Sequence, residues 1–237
     1  MNAPRHHNHE PIIATHAVAI PSGKVVIHGD LTIPVGARGI VVFAHGSGSS
    51  RMSRRNRWVA AELNWGRMAT LLVDLLTADE AALDQRTGEF RFDIQLLSRR
   101  VVDAIDWVSR EPALRALPLG VFGASTGAAA ALFAAARRPN RVKAVVSRGG
   151  RPDLAESVLS LVDVPTLLIV GENDPDVLAL NRHALSLLRG DRRLDIIPGA
   201  SHLFEEPGAL EAAASCARAW FVEHLGKVVS VGEAVGW

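Results

Sequence analysis

A single cysteine, Cys216, stands in a chain of 237 residues, so no intrachain disulfide and no multi-cysteine metal site can form. Its setting, "AAASCARAWF", reads as the apolar face of a helix rather than as a reactive site. Charge of one sign is also lacking: the formal net charge is +1, which argues against a protein dedicated to nucleic acid or to a membrane surface. Long apolar runs are missing too. The longest, Val121 to Ala136, is interrupted by Gly123, Ser125, Thr126 and Gly127 and is rich in alanine rather than leucine, as suits a buried helix and not a membrane span. The opening "MNAPRHHNHEPIIATH" has no apolar stretch before a cleavage site, so no secretory signal is read and a cytoplasmic location is expected. Its histidines, His6, His7 and His9, are read as part of a solvated leader rather than as a metal site. Nucleotide-binding signatures fail as well. "GSGSSR" at 46–51 begins as G-x-G-x-x, but Arg51 stands where the third glycine belongs, and no glycine loop is followed by a P-loop lysine.

What is present is a regular alternation. Nearly half the residues are apolar, enough at this length for one substantial core, and one large α/β domain fits better than two small ones. "HAVAIPSGKVVIHGDLTIP" alternates with period two around Pro21-Ser22-Gly23, predicting an antiparallel hairpin. Six near-continuous apolar runs follow: "GIVVFAH", "ATLLVDLL", "PLGVFG", "VKAVVS", "PTLLIVG" and "RLDIIPG". Such runs suit strands covered on both faces. Helices are expected near 54–66, 94–110, 126–137, 176–188 and 209–225. In the second, Ile94, Leu97, Val101, Ala104, Ile105 and Val108 form one apolar stripe. This order predicts a doubly wound, mostly parallel sheet with an N-terminal hairpin. A leader at 1–15, one domain at 16–226 and a tail at 227–237 are expected. The tail has a period-two apolar look and reads as packing on its own domain or fraying, with an added edge strand as the alternative.

In such sheets chemistry gathers at the carboxyl ends of the strands. There the sequence puts "HGSGSS" at 45–50, "GASTG" at 123–127, "GEND" at 171–174 and "GASH" at 199–202. A hydroxyl, a carboxylate and an imidazole thus follow three strands, in the order Ser125, Asp174, His202. Serine needs a base to become a nucleophile, and the base needs an acceptor to fix its tautomer. Gly123 and Gly127 flank Ser125 two positions either side, where side chains would collide at a sharp strand-to-helix turn. The backbone N–H of Thr126 is the natural oxyanion donor, and the glycine-rich loop after the earlier strand can supply a second, from Ser47. His45 is read as structural. Asp176, a helix N-cap candidate, and Asp153 are rivals to Asp174 for the acid; His183 and His224 fall in helical patterns and read as surface residues.

On the residues "HGSG", "GASTG", "GENDPDV" and "GASHLF", the chain resembles the α/β-hydrolase superfamily, and more narrowly its dienelactone-hydrolase-like branch. The resemblance runs over almost the whole chain after the leader. It implies Ser125 as nucleophile, Asp174 as acid, His202 as base, and Ser47 and Thr126 as oxyanion donors, with no metal and no organic cofactor. Some superfamily members keep their acid after the strand preceding Asp153. Dienelactone hydrolases proper use a cysteine nucleophile, whereas this chain has serine. The short interval between "VKAVVS" and "PTLLIVG" leaves no room for a large lid. The absence of tyrosine excludes the tyrosine-assisted epoxide opening and tyrosine oxyanion donor of some relatives. The expected function is hydrolysis of a small ester, thioester or lactone through an acyl-enzyme. An acyltransferase on the same residues and a non-catalytic binding protein are the alternatives. Arginines crowd the same loops, and Arg51, Arg148 and Arg151 are candidates to bind an anionic substrate.

Overall fold

The computed structural model describes residues 12–226. The leader up to residue 11 and the tail from residue 227 lie outside the described residues. Strand β1 (Ile12–Ser22) turns at Gly23 into β2 (Val25–Pro34), so the first strand begins inside the stretch expected to be leader. After it come β3 (Gly39–Ala44), α1 (Arg54–Trp65), β4 (Met68–Val73), α2 (Ala78–Thr87), α3 (Ile94–Arg110), β5 (Leu119–Ala124) and α4 (Thr126–Arg137). The chain continues through β6 (Val142–Arg148), a 3-10 turn at Pro152–Ala155 leading into the short α5 (Glu156–Leu159), β7 (Thr166–Gly171), α6 (Pro175–Leu187), β8 (Arg192–Ile197) and α7 (Ala209–Leu225). The eight strands form one sheet in the order β1-β2-β4-β3-β5-β6-β7-β8. β2 pairs antiparallel with β1 and β4, and every pairing from β4 through β3 to β8 is parallel.

Period two explains how one strand serves two cores. In β3, Ile40, Val42 and Ala44 face a cluster built with α3 and α4, while Val41 and Phe43 face the opposite cluster built with α1 and α7. Every residue of β3, β4, β5 and β7 is buried, which is why these strands read as unbroken apolar runs. The α3 stripe read from the sequence is the buried face: Ile94, Leu97, Val101, Ala104, Ile105 and Val108 all lie in the first cluster.

Helix ends follow local chemistry. Ser53 Oγ accepts from Asn56 N–H at the start of α1, and Asp93 accepts from Leu96 N–H at the start of α3. Helix α2 was not expected from the sequence. It starts on a capping box in which Thr77 and Glu80 satisfy each other's backbone N–H, and Glu80 also pairs with Arg100 of α3 at 2.8 Å.

Candidate active site

Strand β5 ends in a sharp turn at Ser125. Ser125 has φ 52° and ψ −122°, a left-handed φ that a non-glycine residue holds only under strain, of roughly 1–3 kcal/mol. Three backbone hydrogen bonds keep it there. Its N–H donates to Arg148 O at 3.2 Å, and its carbonyl accepts from Arg151 N–H at 3.1 Å and Ala128 N–H at 3.0 Å. The flanking glycines are required by contact. A Cβ on Gly123 would lie 2.4 Å from Ala128 Cα, and one on Gly127 would lie 2.3 Å from Ala44 O. Helix α4 can therefore start directly against β3 and β5, and its alanines 128–131 are fully buried there.

The loops after β7 and β8 are laced together. Glu172 N–H donates to Ile197 O at 3.0 Å and Asn173 N–H to Ala200 O at 2.9 Å. Gly199 N–H donates to Glu172 Oε2 at 2.8 Å, and Asn173 Nδ2 donates to Gly199 O at 2.9 Å. This lattice carries Asp174 and His202 together, with Nδ1 of the ring 2.6 Å from Asp174 Oδ2. Asp174 itself, not Asp176, is the N-cap of α6, yet its side chain makes no capping bond and turns to the imidazole instead. The carboxylate therefore sits by the positive end of the helix dipole. Among the other acid candidates, Asp153 is held by both nitrogens of a bidentate Arg151 fork at 2.9 and 2.7 Å, and Asp176 lies in the exposed first turn of α6. His183 and His224 stand apart from this loop cluster, 3.8 Å from Glu156 and 3.6 Å from Asp191 respectively.

Ser125 and His202 line one cavity of about 190 Å³ together with Gly46, Ser47, Asn56 and Arg148. Among the described residues no hydrogen bond joins the hydroxyl to the ring; such contacts are often loose in unliganded sites and tighten around substrate. Ser47 and Thr126 meet across the turn, with their hydroxyl oxygens 3.0 Å apart. Among the described residues neither backbone N–H donates to a protein acceptor. A second cavity of about 370 Å³ shares the 46–53 loop and extends to Leu76, Ala81, Gln85 and Leu97.

His45 has the structural place expected of it. It is buried, with Nδ1 2.9 Å from Gly46 O and Nε2 accepting from Leu75 N–H at 3.0 Å, a pattern that fits the neutral ring with its proton on Nδ1. Burial pushes its pKa below the ordinary histidine value, outweighing Gly46 O and Asp74, which act the other way. The unfolded chain therefore binds this proton at a higher pH than the folded one. Folding stability is present in full above about pH 6.5 and falls as the pH drops below it, by up to about 1 kcal/mol per pH unit. Urea unfolding at pH 7.5, 6.5 and 5.5 checks this. A flat profile, or the same slope in His45→Asn, would contradict it.

Two of the three arginines expected to bind an anionic substrate are held by carboxylates away from the cavities. Arg51 is engaged by Asp30 and Asp74, and Arg151 is engaged by Asp153; neither lines either cavity. Arg51 draws its carboxylates from β2 and from just past the end of β4, a pairing across the fold that the loop sequence does not display, whereas the partner of Arg151 stands two residues on. Of the three, Arg148 alone lines the Ser125 cavity, beside Arg55 of α1. Asn56 and Phe204, which the sequence reading missed, surround Arg148. Asn56 sits in α1 with no motif to mark it, and Phe204 is brought in by a left-handed backbone, φ 56°, that its residue type disfavours.

A strained serine between a β-strand and a buried helix, facing an aspartate-held histidine from later strands of an eight-stranded sheet, defines the α/β-hydrolase class. The chain belongs to the dienelactone hydrolase family, whose model matches residues 28–228. A crystal structure of a dienelactone hydrolase from Anabaena variabilis is 57% identical, with a TM-score of 0.89 over 92% of this chain and all of that one. Est1E from Butyrivibrio proteoclasticus, 16% identical, shares the fold with a TM-score of 0.75 over 89% of this chain and 99% of its own. A Mycobacterium tuberculosis H37Rv protein that carries the name "Putative phosphoribosyl transferase" is 52% identical over 216 residues, 91% of this chain but 48% of that protein. The chain thus spans about half the length of the curated relatives it matches. Family membership supports hydrolase activity. No helix among the described residues is long and apolar enough to cross a membrane.

Proposed function

We propose that the protein is a serine hydrolase that cleaves a small ester, thioester or lactone through an acyl-enzyme. The observation that carries this reading is the 2.6 Å Asp174–His202 bond at the rim of the cavity that holds the strained Ser125. His202 takes the hydroxyl proton as Ser125 Oγ bonds to the acyl carbon. The carbonyl oxygen, now an anion, is received by the free N–H groups of Ser47 and Thr126, the latter at the positive end of α4. As the intermediate collapses, the acyl–leaving-group bond breaks and His202 hands the proton to the departing oxygen or sulfur. Water then repeats the sequence on the acyl-enzyme, giving the free acid and restoring Ser125. Asp174 stays ionised, holding the ring so that Nε2 is the base. Phosphoribosyl transfer, named for proteins about twice as long, is not carried over to this chain.

Incubation with a fluorophosphonate tests the reading. The expected result is one adduct, located by peptide mass on Ser125, and competition by small acyl esters. An unmodified Ser125 with no esterase turnover would overturn it and leave a hydrolase-fold binding protein.

A further inference from the structure

Arg148 is the one charged side chain of the site left without a counter-charge, and it is deeply placed. It is 7% exposed, and its Nη1 is buried without a hydrogen-bond partner among the described residues. Its polar contact is Nη2 donating to Asn56 Oδ1 at 3.2 Å, a neutral acceptor that is itself buried. The guanidinium stands 5.8 Å from the ring centroids of both Phe122 and Phe204, between two aromatic faces. Burial lowers its pKa to about 10, with a smaller push from Arg55, so it stays charged at neutral pH. The other arginines of the two cavities, and Arg51 beside them, each have a carboxylate partner. Arg55 holds Glu205, Arg51 holds Asp30 and Asp74, and in the larger cavity Arg91 holds Asp84.

A buried cation without a partner is costly for a fold to keep, and the fold supplies aromatic walls and an amide here instead of a carboxylate. We infer that Arg148 is a specificity-determining residue that binds an anionic group, carboxylate or phosphate, on the leaving-group side of the ester. The side follows from the cavities. His202, which protonates the leaving group in the proposed mechanism, lines the smaller cavity with Arg148, and the only charged residues of the larger one are the mutually paired Asp84 and Arg91. Arg148 lines the smaller cavity, its Nη1 has no acceptor among the described residues, and a planar guanidinium matches two oxygens of one anionic group. This inference rests on the serine-hydrolase reading for its placement of the leaving group, but not for the anion site itself.

Calorimetry on the wild-type protein tests binding without turnover, using 4-hydroxybenzoate, 4-hydroxyphenyl phosphate and the neutral 4-hydroxybenzamide. The anions should bind about 10- to 100-fold tighter than the amide, and the stronger of the two identifies carboxylate or phosphate as the preferred group. Turnover of 4-acetoxybenzoate against 4-acetoxybenzamide should show a preference of the same order in kcat/KM, borne mainly by KM. Phenyl hydrogen succinate against phenyl butyrate, with the charge on the acyl side, should show none. In Arg148→Met the leaving-group preference should collapse toward unity, and Arg148→Lys should restore part of it. Arg148→Gln serves if Arg148→Met fails to fold, and Arg55→Met, whose arginine lines the same cavity but is paired with Glu205, should leave the ratio in place. Equal binding of anion and amide by the wild type, a preference confined to acyl-side charge, or loss of the preference in Arg55→Met alone would each overturn the assignment. A wild type that binds the anions selectively but whose Ser125 resists the phosphonate would sink the hydrolase reading and leave the anion site standing.

Discussion

Ser125→Ala is expected to lower kcat on the order of 10⁶-fold and to abolish phosphonate labelling, with the unfolding midpoint nearly unchanged. The size of the loss follows from the nucleophile and base acting as one unit. Without the hydroxyl, His202 has no proton to take, and what remains is binding plus the Ser47 and Thr126 amides, worth roughly 10³- to 10⁴-fold over water. Stability should hold for a separate reason. Alanine keeps the Cβ, so it meets the same left-handed strain at φ 52°, and among the described residues the serine hydroxyl makes no hydrogen bond whose loss would register. Ser125→Gly separates strain from chemistry. It should be equally inactive but about 1–2 kcal/mol more stable, because glycine adopts φ > 0 without cost. Thermal unfolding of the three proteins side by side, with single-turnover assays, checks both halves. Retained labelling in the alanine variant, or a glycine variant no more stable than wild type, would contradict the corresponding half.

That the strain is held from outside the turn explains what could be read from the chain and what could not. The glycines at 123 and 127 announce a close approach, because few other reasons place glycine on both sides of a serine at a strand end. The apolar runs announce buried strands, and their polar successors announce one chemical rim. The clamp is another matter. Arg148 O and Arg151 N–H reach Ser125 through the β5–β6 pairing, and nothing in "SRGGRP" declares that its backbone serves a serine more than twenty residues earlier. Strand order was equally hidden, since β4 inserts between β2 and β3 although β3 precedes it in the chain. Helix α2 carried a legible start in Thr77 and Glu80, but its exposed, mixed face lacks the stripe that made α3 plain.

Charge shows the same division. Arg51, Arg148 and Arg151 look alike in sequence, all following strands at the rim. The fold sorts them by what stands opposite, with carboxylates for two and an asparagine and two aromatic rings for the third. Phe204 contributes one of those rings only because residue 204 takes a left-handed turn two positions after His202. The loop that presents the base therefore also walls the cation. Gly149, with φ +52°, lies where an added Cβ would come 3.2 Å from His202 O and 3.4 Å from the Phe204 ring, so it is the point at which these two parts of the site touch.

Asp174→Asn is expected to lower kcat by about 10⁴-fold while the fold and the Ser125 adduct site remain, and it decides among the three carboxylates the sequence left in contention. The carboxylate accepts the Nδ1 proton at 2.6 Å, which leaves Nε2 bare to accept from Ser125. An asparagine that turns its amide toward the ring donates to Nδ1 and forces the proton onto Nε2, where it faces the serine and cannot serve as a base. Asparagine is a good N-cap, so α6 should not suffer, and any loss of activity is not a loss of structure. Asp176→Asn removes an exposed first-turn charge and should cost a few tenths of a kcal/mol of stability and no more than a few-fold in kcat. Asp153→Asn breaks the fork with Arg151, whose N–H holds the Ser125 carbonyl; its effect should be a modest loss of stability, with kcat within about tenfold. Steady-state kinetics of the three variants, each with a urea titration, gives the ranking. If Asp153→Asn were the variant that lost four orders of magnitude, the acid would have to be reassigned to the loop after β6, and the short Asp174–His202 contact would be left as a structural bond.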